Sequence, residues 1–211
     1  ETRRMGIRIL PPDIQLSDEP FTARHSTVRV GLSQVKGLSQ NSIGEILKNR
    51  PYTSLADFLA RTKVSVSETE SLIRCGAFNT FGISVAELLW QLKLHHRSPR
   101  LFSQFNQPIP KLPEYTLREK LLAELECLDL TVSNHPLSLY SFNKKFTQTA
   151  IRGSQLEKFS GKLATLIGWA ITYKRTRTAK NELMKFMTLE DTTATFEVTL
   201  FPRVYQQFGH L

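Results

Sequence analysis

The spacing of the apolar residues changes once along this chain, from a helical repeat to strict alternation. In the first half they recur every three or four positions, as in Val85, Leu88 and Leu92, which places them on one face of a helix. From Lys162 to Lys174 every second residue is apolar, aromatic or threonine, as in a strand. A helical spacing does not place apolar residues on one face of a strand, and a strand spacing does not place them on one face of a helix. The sequence therefore predicts an α+β chain, in which a helical module precedes a β domain.

A glycine-containing turn interrupts the helical pattern near its start. The segment Val35-Lys36-Gly37-Leu38-Ser39 fits the turn of a helix-hairpin-helix, in which a glycine backbone approaches a DNA phosphate and the next helix points free N–H groups at it. Such hairpins usually carry a second glycine where this chain has Ser39, which could donate a hydroxyl or weaken the motif. We predict DNA contacts from Lys36, Gly37, Leu38, Ser39 and Gln40. An ordinary helix-turn-helix with a C-cap glycine has the same composition.

A second hairpin at residues 62–66 contains no glycine, and we interpret it as mainly structural. Ser67 and Glu70 have the spacing of a capping box for the helix that follows it. That helix should end at Gly76, because glycine is the usual left-handed residue after a helix. Together these signals predict a tandem helix-hairpin-helix module over residues 28–97.

The segment 98–115 contains four prolines and no helical period, which predicts an extended linker. Its Leu101-Phe102 step would be exposed there, and extended peptides with such a pair can fill an apolar pocket on a partner protein. We therefore regard Leu101 and Phe102 as a candidate partner-binding peptide. The alternative is that Phe102 and Phe105 pack back onto the helices.

The last part of the chain, residues 151–211, has the pattern of three strands and is predicted to be a partial OB-fold. A closed five-stranded barrel would need two further strands, so we expect the chain to be a piece of a longer protein. Residues 116–150 before it are predicted to form a helix and a corner at His135-Pro136. We expect His135 to cap or pack at this corner.

A basic segment lies between the first two predicted strands. Its cations are Lys174, Arg175, Arg177 and Lys180, and OB-folds commonly hold single-stranded nucleic acid here through charge and base stacking. These four residues are predicted to bind DNA, with Trp169, Tyr173 and Phe186 as candidate stacking platforms. The alternatives are that the charges are simply solvated and that the aromatic residues belong to the core.

The overall charge is consistent with a polyanionic partner. The chain has 28 lysines and arginines against 19 acidic residues, a formal net charge of +9, which attracts nucleic acids or acidic membrane surfaces. No apolar run reaches the roughly 18 residues that span a bilayer, and the polar start is not a signal peptide. We therefore expect a cytoplasmic protein that does not bind membranes.

Catalytic and metal-binding patterns are absent from the sequence. Metal-dependent phosphoryl transfer needs convergent carboxylates, whereas Glu190-Asp191 falls in a predicted turn and the other acids are scattered. Cys75 and Cys127 lack the spacing of a zinc site or a disulfide framework. The sequence thus predicts no catalytic residue, no metal ligand and no cofactor in this fragment.

Five segments of the chain are informative when they are taken together: residues 4–14 (RMGIRILPPDI), 31–38 (GLSQVKGL), 72–78 (LIRCGAF), 133–137 (SNHPL) and 186–191 (FMTLED). In this order, along nearly the whole chain, they resemble the bacterial DNA polymerase III alpha subunit family and its error-prone relatives. The resemblance implies that the chain is a C-terminal, non-catalytic part of a DNA-directed DNA polymerase, a nucleotidyltransferase. It also implies that the catalytic carboxylates and their Mg²⁺ lie upstream of the chain.

The resemblance further assigns roles to the segments. Residues 1–27 would connect to the fingers domain, the hairpin module would hold duplex DNA, the linker would bind the sliding clamp, and the OB-fold would face single-stranded template. Other replisome or polymerase domains would be partners. Two features depart from the family: Ser98 stands where clamp peptides usually begin with glutamine, and Asp129 stands where glycine is common.

Two other classes of function also fit these features. A stand-alone DNA-binding module of repair or recombination could use the same folds, and so could a protein-interaction scaffold with incidental basic charge.

Overall fold

The computed structural model describes residues 2–97, 111–142 and 144–210. The chain divides into two compact units, Glu1–Asn134 and His135–Leu211. The boundary lies inside the predicted segment 116–150, so the helix of that segment belongs to the first unit.

The first unit opens with a small mixed sheet. Its strands are β1 (Arg8–Leu10), β2 (Thr22–Arg24) and β3 (Thr27–Arg29), in the order β1-β3-β2, with β1 and β3 parallel. Gly31 follows β3, and a Cβ atom there would lie 2.3 Å from the carbonyl carbon of Pro20. Only glycine fits this close approach, which leads the chain from the sheet into the helices.

Among the described residues of the first unit, five α-helices follow the sheet. They are α1 (Gln40–Lys48), α2 (Leu55–Arg61), α3 (Val66–Arg74), α4 (Val85–Arg97) and α5 (Leu117–Leu128). Their apolar faces meet in one core, which contains Ile43, Ile46, Phe58, Leu72, Ile73, Leu88, Leu92 and Leu128. The face of α4 predicted from Val85, Leu88 and Leu92 is therefore the face that is buried.

The two hairpins join these helices in tandem. The first, at residues 35–39, connects a single 3-10 turn (Leu32–Gln34) to α1, and the second, at residues 62–65, connects α2 to α3. This arrangement is the helical helix-hairpin-helix region predicted from the sequence, although the first hairpin lacks a full helix before it.

The capping box of α3 differs from the predicted one. Ser65 and Glu68 form it, so the assignment to Ser67 and Glu70 was wrong. Both pairs have the required spacing, and a tertiary contact distinguishes them. Glu68 accepts hydrogen bonds from the Ser65 amide at 2.9 Å and from the Ser39 amide at 2.9 Å. One carboxylate thus joins the start of α3 to the start of α1.

The second unit contains a three-stranded antiparallel sheet of β4 (Trp169–Arg177), β5 (Leu183–Glu190) and β6 (Thr195–Leu200), in that order. Two short helices accompany it, α6 (Lys144–Thr149) and α7 (Pro202–Phe208). The described residues therefore form an open sheet, as expected for a partial OB-fold, and the α+β class predicted from the sequence is confirmed.

The first strand of this sheet does not cover the predicted range. It begins at Trp169 rather than near Lys162, and it continues through Arg177. Gly168 precedes it, and a Cβ atom there would meet the Phe196 ring at 2.8 Å, so this glycine allows close packing at the strand's start. The cations placed in a loop by the sequence analysis are largely strand residues, and the turn is limited to residues 178–182.

Asp191 fixes the turn between β5 and β6. Its carboxylate accepts hydrogen bonds from the backbone amides of Gly153 at 2.6 Å, Thr193 at 2.7 Å and Ala194 at 2.8 Å. Partial burial alone would raise its pKa, but these bonds outweigh that effect and lower the pKa. The carboxylate that the sequence placed in a turn therefore serves the turn itself.

Replacing Glu68 by glutamine is expected to lower the free energy of unfolding by about 1–2 kcal/mol at neutral pH, the range of a lost cap. Glu119→Gln is the matched control, because Glu119 forms a capping box with Thr116 that serves α5 alone. The loss in the free energy of unfolding should be smaller for Glu119→Gln than for Glu68→Gln. Urea denaturation followed by helical circular dichroism measures both.

The cost of Glu68→Gln should also depend on pH. Partial burial favours a higher pKa, but hydrogen bonds from Ser65 and Ser39 lower the pKa of Glu68 from 4.5 to about 2. Its stabilisation is therefore complete above pH 4.5 and is lost as the pH falls toward 2. The difference between wild type and Glu68→Gln should shrink across this window. A constant difference, or equal costs for the two variants, would contradict the bridging role.

Candidate nucleic-acid interface

The first hairpin makes its turn at a glycine in the left-handed region. Gly37 has a φ of +78°, a conformation that costs other L residues energy. No atom lies within 4 Å of the position that a Cβ would occupy. The glycine is therefore required by the backbone conformation, and the space beside the turn is open.

The backbone amides of this hairpin fall into two groups. Those of Lys36, Leu38 and Ser39 donate to Cys127 O, Val35 O and Glu68 Oε1, at 2.8, 3.2 and 2.9 Å. The amides of Gly37, Gln40 and Asn41 have no acceptor among the described residues. Asn41 was missed by the sequence analysis, although the first amides of any helix lack an intrahelical acceptor. Three donors of the hairpin therefore remain available for an external ligand.

The Ser39 hydroxyl takes part in the cap of α1. It accepts a hydrogen bond from the Ser42 amide at 3.2 Å and donates to the Ser42 hydroxyl at 3.0 Å. Of the two roles considered for Ser39, donation by its hydroxyl is thus directed within the protein. The adjoining groove is lined by Lys48 and Lys63 together with Glu45 and Glu68, so the second hairpin contributes one cation to it.

The end of α5 holds the first hairpin in place. The Gln34 side-chain amide donates to Leu128 O at 2.7 Å, across 94 positions of sequence. Lys36 Nζ lies 2.6 Å from Asp129 Oδ1, and both side chains are well exposed. Asp129 has a φ of +55° directly after the helix, a conformation that favours glycine. The hairpin's predicted DNA-binding lysine is therefore paired with this carboxylate.

In the second unit, strand alternation separates the predicted cations. Lys174 pairs with Phe186 across β4 and β5, whereas Arg175 pairs with Lys185. Since neighbouring residues of a strand point to opposite faces, Lys174 and Phe186 share one face, and Arg175, Arg177 and Lys185 share the other. Lys180 lies in the turn. The single cluster expected from the sequence is thus divided between two faces.

The three candidate stacking residues differ in their surroundings. Phe186 is 44% exposed. The Tyr173 ring lies 4.5 Å from Lys185 Nζ and 5.7 Å from the Arg175 guanidinium carbon. Trp169 is partly buried, with its ring 6.3 Å from that of Tyr140. Tyr173 is the more exposed residue, at 54%, but two cations lie against its ring, so Phe186 is the better candidate for stacking.

Other predicted features have less consequence for this interface. His135 caps the turn Pro136–Leu139 by accepting a hydrogen bond from the Leu137 amide, as expected.

Within residues 2–97, 111–142 and 144–210, no three His, Cys, Asp or Glu side chains are grouped to hold a metal. In the same ranges no helix is long and apolar enough to cross a bilayer. The clamp-peptide residues Leu101 and Phe102 lie outside the described residues.

Comparison with known proteins agrees with this geometry. A helix-hairpin-helix motif model matches residues 6–88, which include both hairpins. The DNA polymerase III subunit alpha of Bacillus subtilis is 32% identical over 99% of the chain and that of Aquifex aeolicus 29% over 100%. The error-prone DNA polymerase of Symbiobacterium thermophilum is 26% identical over 100%. The chain spans only 20%, 19% and 24% of the lengths of these three relatives, in the order given. Along its whole length, this chain belongs to the DNA polymerase III alpha subunit family.

Proposed function

We propose that this chain is a DNA-binding part of a bacterial DNA polymerase that holds duplex DNA with its first unit and single-stranded template with its second. The observation that carries the proposal is the set of amides of Gly37, Gln40 and Asn41, which have no acceptor among the described residues. Amides at a helix start bind phosphate oxygens because the helix dipole adds positive potential there.

The hairpin's surroundings support a duplex phosphate as the ligand. Gly37 leaves open space beside the turn, and the adjoining groove contains Lys48 and Lys63 together with Glu45 and Glu68. Lys36 is paired with Asp129, but exposed ion pairs contribute only about 0–1 kcal/mol. Lys36 can therefore exchange this carboxylate for a DNA phosphate at little cost. The amides of Leu38 and Ser39 and the Ser39 hydroxyl all bond within the protein, so these two residues would support DNA binding by shaping the turn.

Single-stranded DNA fits the face of the second sheet that carries Lys174 and Phe186. The two residues are cross-strand neighbours, so a phosphate on Lys174 and a base on Phe186 could belong to the same strand. Base stacking of this kind is tolerant of sequence. We infer that the sheet belongs to an OB-fold, and that Arg175, Arg177 and Lys180 add to the attraction for the strand.

The remaining roles belong to the longer protein. Its relatives are named DNA polymerases, and we infer template-directed DNA synthesis in the cytoplasm, with catalytic carboxylates and Mg²⁺ outside this chain and other replisome domains as partners. Primer extension by the full-length protein, with Mg²⁺ and after its removal, tests this inference. Activity that survived complete removal of divalent metal would contradict it.

A sliding clamp is the proposed partner of Leu101 and Phe102, through the resemblance of their segment to a clamp peptide. Changing both residues to alanine is expected to abolish binding of the chain to the clamp, measured by surface plasmon resonance, without lowering its melting temperature. A lower melting temperature would instead mean that the two side chains pack against the fold.

Two substitutions are expected to affect the two kinds of DNA separately. Asp129→Asn should tighten duplex binding about two- to fivefold, because Lys36 loses its competing carboxylate and asparagine tolerates the left-handed conformation. Phe186→Ala should weaken single-strand binding by about fivefold or more, the effect of losing one stacked base. Fluorescence anisotropy with duplex and single-stranded oligonucleotides measures both, at two salt concentrations.

Each variant has a matched control. Glu126→Gln removes a neighbouring carboxylate that pairs with Arg74, and Phe201→Ala removes an exposed ring elsewhere in the second unit. Equal gains from Asp129→Asn and Glu126→Gln would mean that net charge alone acts. If Phe186→Ala and Phe201→Ala gave equal losses, the stacking role would be wrong. Affinity that did not fall with added salt would contradict phosphate binding altogether.

A further inference from the structure

Three aromatic side chains meet at one end of the second sheet. The Tyr140 ring lies 6.1 Å from that of Phe142 and 6.3 Å from that of Trp169, within the range of favourable ring pairs. Tyr140 is 55% exposed and Phe142 39%. Aromatic side chains usually contribute their area to a core or to an interface, so this aromatic cluster is a candidate contact surface.

The aromatic cluster lies on the same face of the sheet as Phe186. Trp169 pairs with Glu190, which lies four residues from Phe186 on β5. Because alternate residues of a strand point the same way, Trp169 and Phe186 share a face. A register shift between Ala170 and Thr172 interrupts the alternation of β4. Without this shift Trp169 would lie on the opposite face.

A polar contact also places the segment before β4 at this end of the face. His135 Nε2 lies 3.6 Å from Glu190 Oε1, and Glu190 is the cross-strand partner of Trp169. The turn that follows His135 leads directly to Tyr140. The polar contact and the ring contact together hold Tyr140 beside the end of the face.

The spacing between the aromatic cluster and Phe186 suits an extended polymer. Along β5, Glu190 and Phe186 are about 14 Å apart, at about 3.4 Å per residue. Between them lies the cross-strand pair of Thr172 and Thr188, whose hydroxyl groups can bond to sugars or phosphates. Successive nucleotides of one DNA strand rise about 3.4 Å each when stacked. A strand of a few nucleotides therefore reaches both aromatic positions.

We propose that Tyr140, Phe142 and Trp169 form a second base-stacking platform for single-stranded DNA. This inference rests on the proposed single-strand contact at Lys174 and Phe186, which it extends along the same face. A nucleic acid fits this face better than an apolar peptide does, because the cluster continues into threonine hydroxyls, a single ring and the ammonium group of Lys174. Stacking on such rings accepts any base.

Tryptophan fluorescence tests the platform directly. The 211-residue chain has two tryptophans, and Trp90→Phe leaves Trp169 as the only one. A thymidine oligonucleotide of about 10 nucleotides lies within the range of OB-fold site sizes. It should quench the emission of Trp169 at the concentrations at which fluorescence anisotropy shows binding. Saturable binding that leaves the emission of Trp169 unchanged would overturn the proposal.

Substitutions at Tyr140 separate base stacking from apolar contact. Tyr140→Leu should weaken binding of the oligonucleotide about fivefold or more, the effect of one lost stacked base, whereas Tyr140→Phe should bind as wild type does. Phe208→Ala is the control, because it removes an exposed ring from α7, whose Tyr205 lines a pocket with Arg175 on the opposite face. It should also bind as wild type does.

Equal affinities of Tyr140→Leu and wild type would contradict the proposal and leave a protein segment as the occupant of the aromatic cluster. Equal losses from Tyr140→Leu and Phe208→Ala would contradict it too. Circular dichroism shows whether each variant folds, and the titration of Trp169 emission decides the matter if Tyr140→Leu does not.

Phe186→Ala distinguishes this proposal from the one on which it rests. If Phe186→Ala keeps its single-strand affinity while Tyr140→Leu loses it, the Phe186 contact is wrong and the platform stands. If only Phe186→Ala loses affinity, the platform is wrong and the Phe186 contact stands. If wild type does not bind the oligonucleotide at all, both proposals fail.

Discussion

The carboxylate of Glu68 is the contact on which the hairpin module depends. It accepts the amides of Ser39 and Ser65, so the helices that follow both hairpins begin at one shared anion. A carboxylate at a helix start is favourable by itself because the helix dipole is positive there. Here it fixes the two helix starts beside each other. The amides that Glu68 does not reach, on Gly37, Gln40 and Asn41, are consequently held in a fixed position for another anion.

The end of α5 completes this arrangement from the other side. A helix end has free carbonyl groups, and those of Cys127 and Leu128 accept the Lys36 amide and the Gln34 side chain. Donors before the turn are therefore satisfied by one helix, while the amides of Gly37, Gln40 and Asn41 stay available. Asp129 adds a weak ion pair with Lys36. Lys36 can therefore exchange this partner for another anion without a change in the backbone of the hairpin.

Local patterns predicted much of this fold, and tertiary contacts explain what they missed. Gly37 and Gly76 are left-handed, because turns and helix ends are decided by neighbouring residues. The capping box of α3 was assigned two residues too late, since only the contact with Ser39 distinguishes the two candidates. Strand alternation divided the predicted cation cluster once Lys174 and Arg175 proved to be strand residues. The Lys36–Asp129 pair joins distant segments, so no local pattern could show it.

The central claim is that the start of α1 presents free backbone amides to a duplex phosphate. The most direct test is an amide proton–nitrogen NMR titration of the isotope-labelled chain with a short duplex. The amide resonances of Gly37, Gln40 and Asn41 should shift most within the hairpin module, and that of Ser39 should shift less because it stays bonded to Glu68. Shifts that left Gly37, Gln40 and Asn41 unchanged while the duplex bound elsewhere would contradict the account.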